Sequence, residues 1–195
     1  MTTLTGPTAP PASGEPASAL VVFLHGYGAD GNDLISLSQI FSQVLPHAAF
    51  SAPHAPQAMG MGGRACFPLT MRDPSEYERG VVSAAPSLDA YLDAELSRLG
   101  LADDRLALVG FSQGTMMALH VAYRRPSSIA CVVGYSGLCA TVEGGPLKPA
   151  PTILIHGTAD EVVPPQMTMV AAQMLGGADI PVEFHMVPGL GHGIE

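Results

Sequence analysis

Short apolar runs at regular intervals constrain the fold of this chain more than any other feature. Leu20–Leu24, Ala48–Ala52, Leu106–Val109, Ile129–Gly134, Thr152–Ile155 and Val182–Val187 are mostly continuous rather than alternating. Alternation marks a strand with one wet face, whereas continuity marks a strand buried on both. Between these runs the spacing changes. Leu34, Leu37, Ile40, Phe41, Val44 and Leu45 recur at helical intervals after the capping cluster Asn32-Asp33. Leu88, Tyr91, Leu92, Leu96 and Leu99 do the same before Gly100, a residue suited to end a helix. Doubly buried strands separated by helices predict an α/β architecture, a mostly parallel sheet with helices on both faces.

A chain of 195 residues suits one such domain, expected over residues 20–195. The first 19 residues, "MTTLTGPTAPPASGEPASA", are rich in Pro, Ala, Ser and Gly and read as an extended, mobile arm. They have neither a basic start nor a continuous apolar stretch, so they do not read as a secretory signal. The charge balance of 8 basic against 17 acidic residues leaves no basic stripe for a nucleic-acid backbone. No apolar run is long enough to insert stably in a bilayer. Val162 to Ala178, the longest charge-free candidate, is broken by Pro164-Pro165 and Gly176-Gly177 and reads as a loop followed by a buried helix. Cys66, Cys131 and Cys139 show no metal-ligand spacing, and a cytoplasmic location is the simplest expectation.

In open parallel sheets, ligands bind at the carboxyl ends of the strands. "LALVGFSQGTMMALH" (106–120) passes from a strand pattern directly into a helical one, with Gly110 and Gly114 two residues to either side of Ser112. Such a corner strains the backbone and lifts the serine hydroxyl clear of the sheet. It also sets the next amide at a helix N-terminus, where negative charge is favoured. This is the G-x-S-x-G arrangement of a nucleophilic serine. Two further features support it. Asp160 in "HGTADEVVP" and His192 in "PGLGHGI" follow in the acid-then-histidine order, each on a loop after a strand, and "FLHGYGAD" offers an oxyanion donor after an early strand. A Gly-Ser-Gly turn without chemistry would need neither.

Competing residues fit less well. Ser136 in "VVGYSGL" has Gly134 before it but Leu138 in place of the second glycine. Glu161 adjoins Asp160 and reads as solvated. His47, His120 and His185 lie in or beside regular elements, while His25 and His156 precede glycines at strand ends, where they would bind loop backbone. His54 in "SAPHAPQ" reads as a turn residue in preference to one lining the site. No histidine pair has ligand spacing with a carboxylate, so no metal site is expected. "HGYGADG" lacks both the Walker lysine and the G-x-G-x-x-G spacing.

From about Leu20 to Ile194, "FLHGYGADGNDL", "APHAP", "RDPSEYERG", "GFSQG", "HGTADEVVP" and "PGLGHGI" resemble the phospholipase/carboxylesterase family of small α/β-hydrolases. This family includes bacterial carboxylesterases and acyl-protein thioesterases. The resemblance implies Ser112 as nucleophile, His192 as base and then acid, and Asp160 as its orienter. It further implies an oxyanion hole from the backbone amides of Tyr27 and Gln113, whose side chains would matter less, and no cofactor. Two features depart from the family: Cys66-Phe67 stands where an aromatic is common, and the sequence ends at Glu195 where relatives continue with a closing helix. The expectation is a natural chain with an amphipathic helix beyond Glu195, without which Gly189–Glu195 would fray.

The residues between Ser136 and Thr152 are too few for a cap domain, so an open site is expected. Its walls would come from Met59, Met61, Phe67 and Leu69 on the Ala58–Asp73 loop, with Val162 and Val163 beside Asp160. Flexible methionines suit a tolerant acyl groove. The expected substrate is a small-molecule carboxylic ester of short to medium acyl chain; a thioester or lysophospholipid is the alternative. A non-catalytic ligand-binding protein of the same fold is disfavoured by the complete Ser, Asp and His set. The resemblance leaves room for a homodimer.

Overall fold

The computed structural model describes residues 3–70, 73 and 75–194, the side chain of Met61 excepted. Its strands in chain order are β1 (Thr8–Ala9), β2 (Ala19–Leu24), β3 (Ala48–Ser51), β4 (Gln57–Ala58), β5 (Arg64–Ala65), β6 (Leu106–Phe111), β7 (Cys131–Tyr135), β8 (Thr152–Gly157) and β9 (Val182–Val187). All but β4 and β5, which pair with each other, form one sheet in the order β1-β3-β2-β6-β7-β8-β9. Every pairing in it is parallel except that of β1 with β3.

The apolar runs of β2, β3 and β6 are buried on both faces. By contrast, β8 is exposed at Ile153. Strand β9, expected to be buried likewise, has no buried residue and leaves Phe184 45 % exposed, because it is the edge strand of the sheet. Leu20, Val22 and Leu24 enter the larger core with Leu106 and Leu108. Val21 and Phe23 face the other way, onto Phe50 and Val109. Each such side chain contributes roughly 1.5–3 kcal/mol when fully removed from water. The larger core is roofed by α3 (Ser75–Leu99), α4 (Gln113–Ala122) and α5 (Gln166–Gly177). All ten residues of α4 are buried. The opposite face is covered at its β2–β3 end by α1 (Gly31–Ile35) and α2 (Ser38–Val44), with Phe41 edge-on to Phe23 at 5.5 Å.

Local chemistry moved several boundaries. The single helix expected over 34–45 is two, and it begins at Asp30, whose side chain accepts from Asn32 N while Asp33 returns the bond to Asp30 N. The break rotates the second half. Leu34, Leu37 and Phe41 pack on the sheet, but Ile40, Val44 and Leu45 are exposed. The α3 helix starts thirteen residues before Leu88 and carries Pro86 inside it. Glu76 and Glu78 in its first turn complement the helix dipole. Its C-terminus is tied by Leu101 N–H to Leu96 O at 2.9 Å, with Gly100 at φ 69°.

The segment expected as a mobile arm is extended but held. Its strand β1 lies along β3, His54 N donates to Thr5 O at 2.8 Å, Ser18 N donates to His47 O at 2.9 Å, and Leu4 packs into the larger core. A Pro-rich composition removes internal hydrogen bonds, yet the open edge of β3 supplies partners that no local signal announces.

At the far end of α4 the Arg125 guanidinium is 3 % exposed and binds three carboxylates. Asp103 lies at 2.7 Å, Asp93 at 2.6 Å and Asp89 at 3.1 Å. The cluster fastens α4 to α3 and to the turn before β6. The chain leaves β2 outward to β3 and re-enters on the other side of β2 as β6, so the order reverses between these two strands. A crevice at the carboxyl ends of β2 and β6 follows from that reversal.

Candidate active site

Ser112 occupies the corner between β6 and α4 with φ 53° and ψ −115°, a conformation that is strained for a residue with a side chain. The flanking glycines are required by close approach. A Cβ on Gly114 would fall 1.9 Å from Leu24 O, and one on Gly110 would fall 2.5 Å from Thr115 N. The elbow can therefore press against β2 only with glycine at both places. It is pinned from the other side by Ser112 N–H donating to Tyr135 O at 2.9 Å and by Thr115 Oγ1 donating to the same carbonyl at 2.8 Å.

Asp160 and His192 meet at the end of β8. His192 Nδ1 lies 2.8 Å from Asp160 Oδ2. The other carboxylate oxygen, Oδ1, accepts from Val162 N and Val163 N, each at 2.9 Å. Burial of Asp160 would push its pKa up. The His192 bond and the two backbone donors outweigh it and hold the carboxyl below its ordinary value. Because a carboxylate can only accept, His192 carries its proton on Nδ1, and Nε2 is left free to accept one.

His156, fully buried, supports the same turn. Its Nε2 is 2.9 Å from Val163 O and 3.1 Å from Asp160 Oδ2, while Nδ1 is 2.6 Å from Thr168 Oγ1. Two acceptors at Nε2 assign the proton there, so Thr168 donates to Nδ1. The loop bearing His192 is held from within. Ala159 N–H donates to Leu190 O and Gly189 N–H donates to Thr158 Oγ1, both at 2.9 Å. The Phe111 ring lies 4.9 Å from the imidazole. These contacts tie the described part of Gly189–Glu195 to the ends of β8 and β6.

The early loop after β2 has its own histidine. Ala55 N–H donates to His25 Nε2 at 2.9 Å, so Nδ1 must carry the proton it gives to Gly26 O at 2.8 Å. Burial holds the pKa of His25 below its ordinary value, in keeping with this neutral form. Among the described residues, nothing accepts from the backbone N–H of Tyr27 or Gln113.

Ser112 and His192 open onto one cavity of about 510 Å³. Leu69, Tyr77, Met116, Leu138, Val162, Val163, Pro164, Met167 and Tyr27 complete its lining. Its described walls carry no Asp, Glu, Lys or Arg, which suits an acyl chain. The model of the phospholipase/carboxylesterase family matches residues 11–195. The chain belongs to this family. Acyl-protein thioesterase 1 of Schizosaccharomyces pombe is 30 % identical to it over 171 residues, 81 % of this chain and 75 % of that protein. The solved structure of esterase PE8 superposes with a TM-score of 0.94 at 38 % identity, covering 100 % of this chain and 93 % of that one. Arabidopsis thaliana SOBER1 superposes with a TM-score of 0.78 at 25 % identity over 91 % of each chain. The fold is accordingly an α/β-hydrolase fold without an evident cap domain, and the chain is a hydrolase of the carboxylesterase and thioesterase class.

Against that family background the sequence-derived wall residues divide. Leu69, Val162 and Val163 line the cavity, and so does Tyr27, expected only as a backbone donor. Phe67 does not: its ring packs where a Cβ on Gly80 of α3 would fall, and it is 2 % exposed. Met59 also lies outside the lining, and the side chain of Met61 lies outside the described residues. Ser136 shares a positive φ of 46°, but it is buried and does not reach the cavity. Sequence reasoning missed Tyr77, Leu138, Met116, Pro164 and Met167. Only Met116 had a local signal, since it lies four residues after Ser112 on the same helix face. The Cys66 thiol is pushed up to about 12 by burial and does not line this cavity.

Proposed function

We propose that the chain hydrolyses carboxylic esters of short to medium acyl chains through an acyl-enzyme on Ser112. The observation that carries this reading is the 2.8 Å His192–Asp160 bond beside a serine held at a strained elbow on the same cavity. Ser112 Oγ attacks the acyl carbonyl as His192 Nε2 takes its proton. Asp160 holds the imidazole in the tautomer that makes this transfer possible. The backbone amides of Tyr27 and Gln113 receive the oxyanion, each worth roughly 3 kcal/mol of transition-state stabilisation. His192 then protonates the leaving group, and the same base activates water against the acyl-enzyme.

The open, apolar cavity supports small or medium acyl groups. Thioesters are the second reading, favoured by the 30 % identity to a protein named for that activity; the acyl half of the reaction is identical. Ser112→Ala tests the proposal. It is expected to abolish both nitrophenyl butyrate hydrolysis and labelling by a fluorophosphonate, with the fold retained. Persistent labelling of that variant would move the nucleophile elsewhere. Rates should peak at short or medium acyl chains without a jump above the substrate's solubility limit.

A further inference from the structure

Four residues, Arg64–Phe67, touch both halves of the proposed oxyanion hole. At one end, Gly28 N–H donates to Arg64 O at 2.8 Å and Arg64 N–H donates to Ala29 O at 2.9 Å. These bonds grip the loop immediately after Tyr27 in the manner of a strand pair. At the other end the partner is a side chain. Cys66 N–H donates to Gln113 Oε1 at 2.9 Å, and Gln113 Nε2 donates to Phe67 O at 2.9 Å. The backbone groups fix the amide orientation without ambiguity, because Cys66 offers only a donor and Phe67 only an acceptor at those positions. Gln113 is 1 % exposed, so neither bond competes with water.

The segment is tied to its surroundings on several sides. It includes β5, paired with β4; Arg64 Nη1 reaches Ala55 O at 3.1 Å; and Phe67 is locked against Gly80. We infer that Arg64–Phe67 is a clip that sets the spacing of the Tyr27 and Gln113 amides, with the Gln113 side chain as its handle on the nucleophile elbow. Gln113 thus acts twice, through its backbone N–H on the oxyanion and through its side chain as a positioning group. The inference rests on the hydrolase reading of Ser112 and adds to it a reason for glutamine after the serine.

The clip can be loosened from either end. Gln113→Met keeps length and apolar volume while deleting both bonds to Cys66 and Phe67. Gly63→Ala acts at the other end: Gly63 has φ −71° and ψ 166°, which alanine adopts freely, but its Cβ would fall 2.2 Å from Gly28 O. The added methyl wedges the clip away from the oxyanion loop without touching the elbow. Misplacement of a catalytic group by about 1 Å can cost on the order of 100-fold in rate. Both variants should therefore lower kcat by about 10- to 100-fold with KM within about twofold. Both should lose affinity in the same proportion for a trifluoromethyl ketone, which forms the oxyanion adduct on serine.

The measurements are kcat, KM and ketone inhibition, with circular dichroism to establish folding. If Gln113→Met fails to fold, Gly63→Ala decides alone. A folded variant with kcat within twofold of the parent overturns the inference. So does a rise in KM at unchanged kcat, which would make the segment a cavity wall only. So does a loss of kcat with ketone affinity preserved. Failure of the unsubstituted protein to react with a fluorophosphonate would instead bring down the hydrolase reading itself.

Discussion

Replacing Asp160 with asparagine changes one atom and should cost almost all activity. Oδ1 accepts two backbone N–H bonds at 2.9 Å, from Val162 and Val163, and these donors cannot be rearranged. The asparagine carbonyl oxygen therefore takes the Oδ1 place, because an amide NH2 there would face two backbone N–H groups that cannot change, whereas the His192 and His156 imidazoles at the Oδ2 place can move their protons. The NH2 then points at His192 Nδ1, which Oδ2 meets at 2.8 Å in the parent. To accept that hydrogen the imidazole must shift its own proton to Nε2, the atom that has to receive the proton of Ser112. An analogous swap in a well-studied serine protease lowers kcat by about 10⁴, equivalent to about 5.5 kcal/mol of barrier. Stability should fall far less, by about 1–3 kcal/mol for a damaged buried hydrogen-bond set. Steady-state hydrolysis of nitrophenyl butyrate, alongside thermal unfolding of both proteins, measures the two quantities. Activity of folded Asp160→Asn within tenfold of the parent would refute the tautomer argument.

Two further predictions concern stability. His120 is buried, its Nδ1 has no partner among the described residues, and burial with the nearby Arg124 depresses its pKa to about 4. The unfolded chain takes up that proton first. The unfolding free energy should therefore be level above about pH 6.5 and decline from there to about pH 4. His25, also depressed by burial, adds to the same slope, and Asp160 extends it below the ordinary carboxylate range. Urea unfolding at several pH values should show a shallower decline in His120→Leu, and an unchanged slope would contradict the assignment. Arg125→Ala should destabilise by about 3–5 kcal/mol, because it strands the buried Asp103 carboxylate. Its kcat at 20 °C should match the parent's, and a loss below about 1 kcal/mol in denaturant titration would show the cluster to be dispensable.

Legibility in the sequence followed the range of the interaction. The buried strands were readable because burial on both faces leaves a continuous apolar run, and the elbow because a tight corner needs glycine at fixed offsets from Ser112. Asp160 and His192 were readable from chain order and from their loops after strands. The clip was not. Gln113 lies 47 residues from Cys66 and 46 from Phe67, and a glutamine opening an apolar helix carries no sign of what its amide will meet. The cavity wall failed for a related reason. Phe67 looked like a wall residue by hydrophobicity alone, but Gly80 on a distant helix made room for its ring in the core. Tyr77 and Leu138 reach the cavity only through the packing of α3 and the turn after β7. The N-terminal segment misled because composition reports internal propensity and says nothing of a waiting sheet edge.

The central claim is that Ser112 forms the acyl-enzyme. Mixing the protein with excess nitrophenyl acetate at mildly acidic pH and quenching in acid within the first turnover traps any covalent intermediate for intact-mass and peptide analysis. The account predicts an adduct of one acetyl group, carried on the peptide that contains Ser112. Hydrolysis without any adduct, or an acetyl group carried by Ser136 instead, would contradict it.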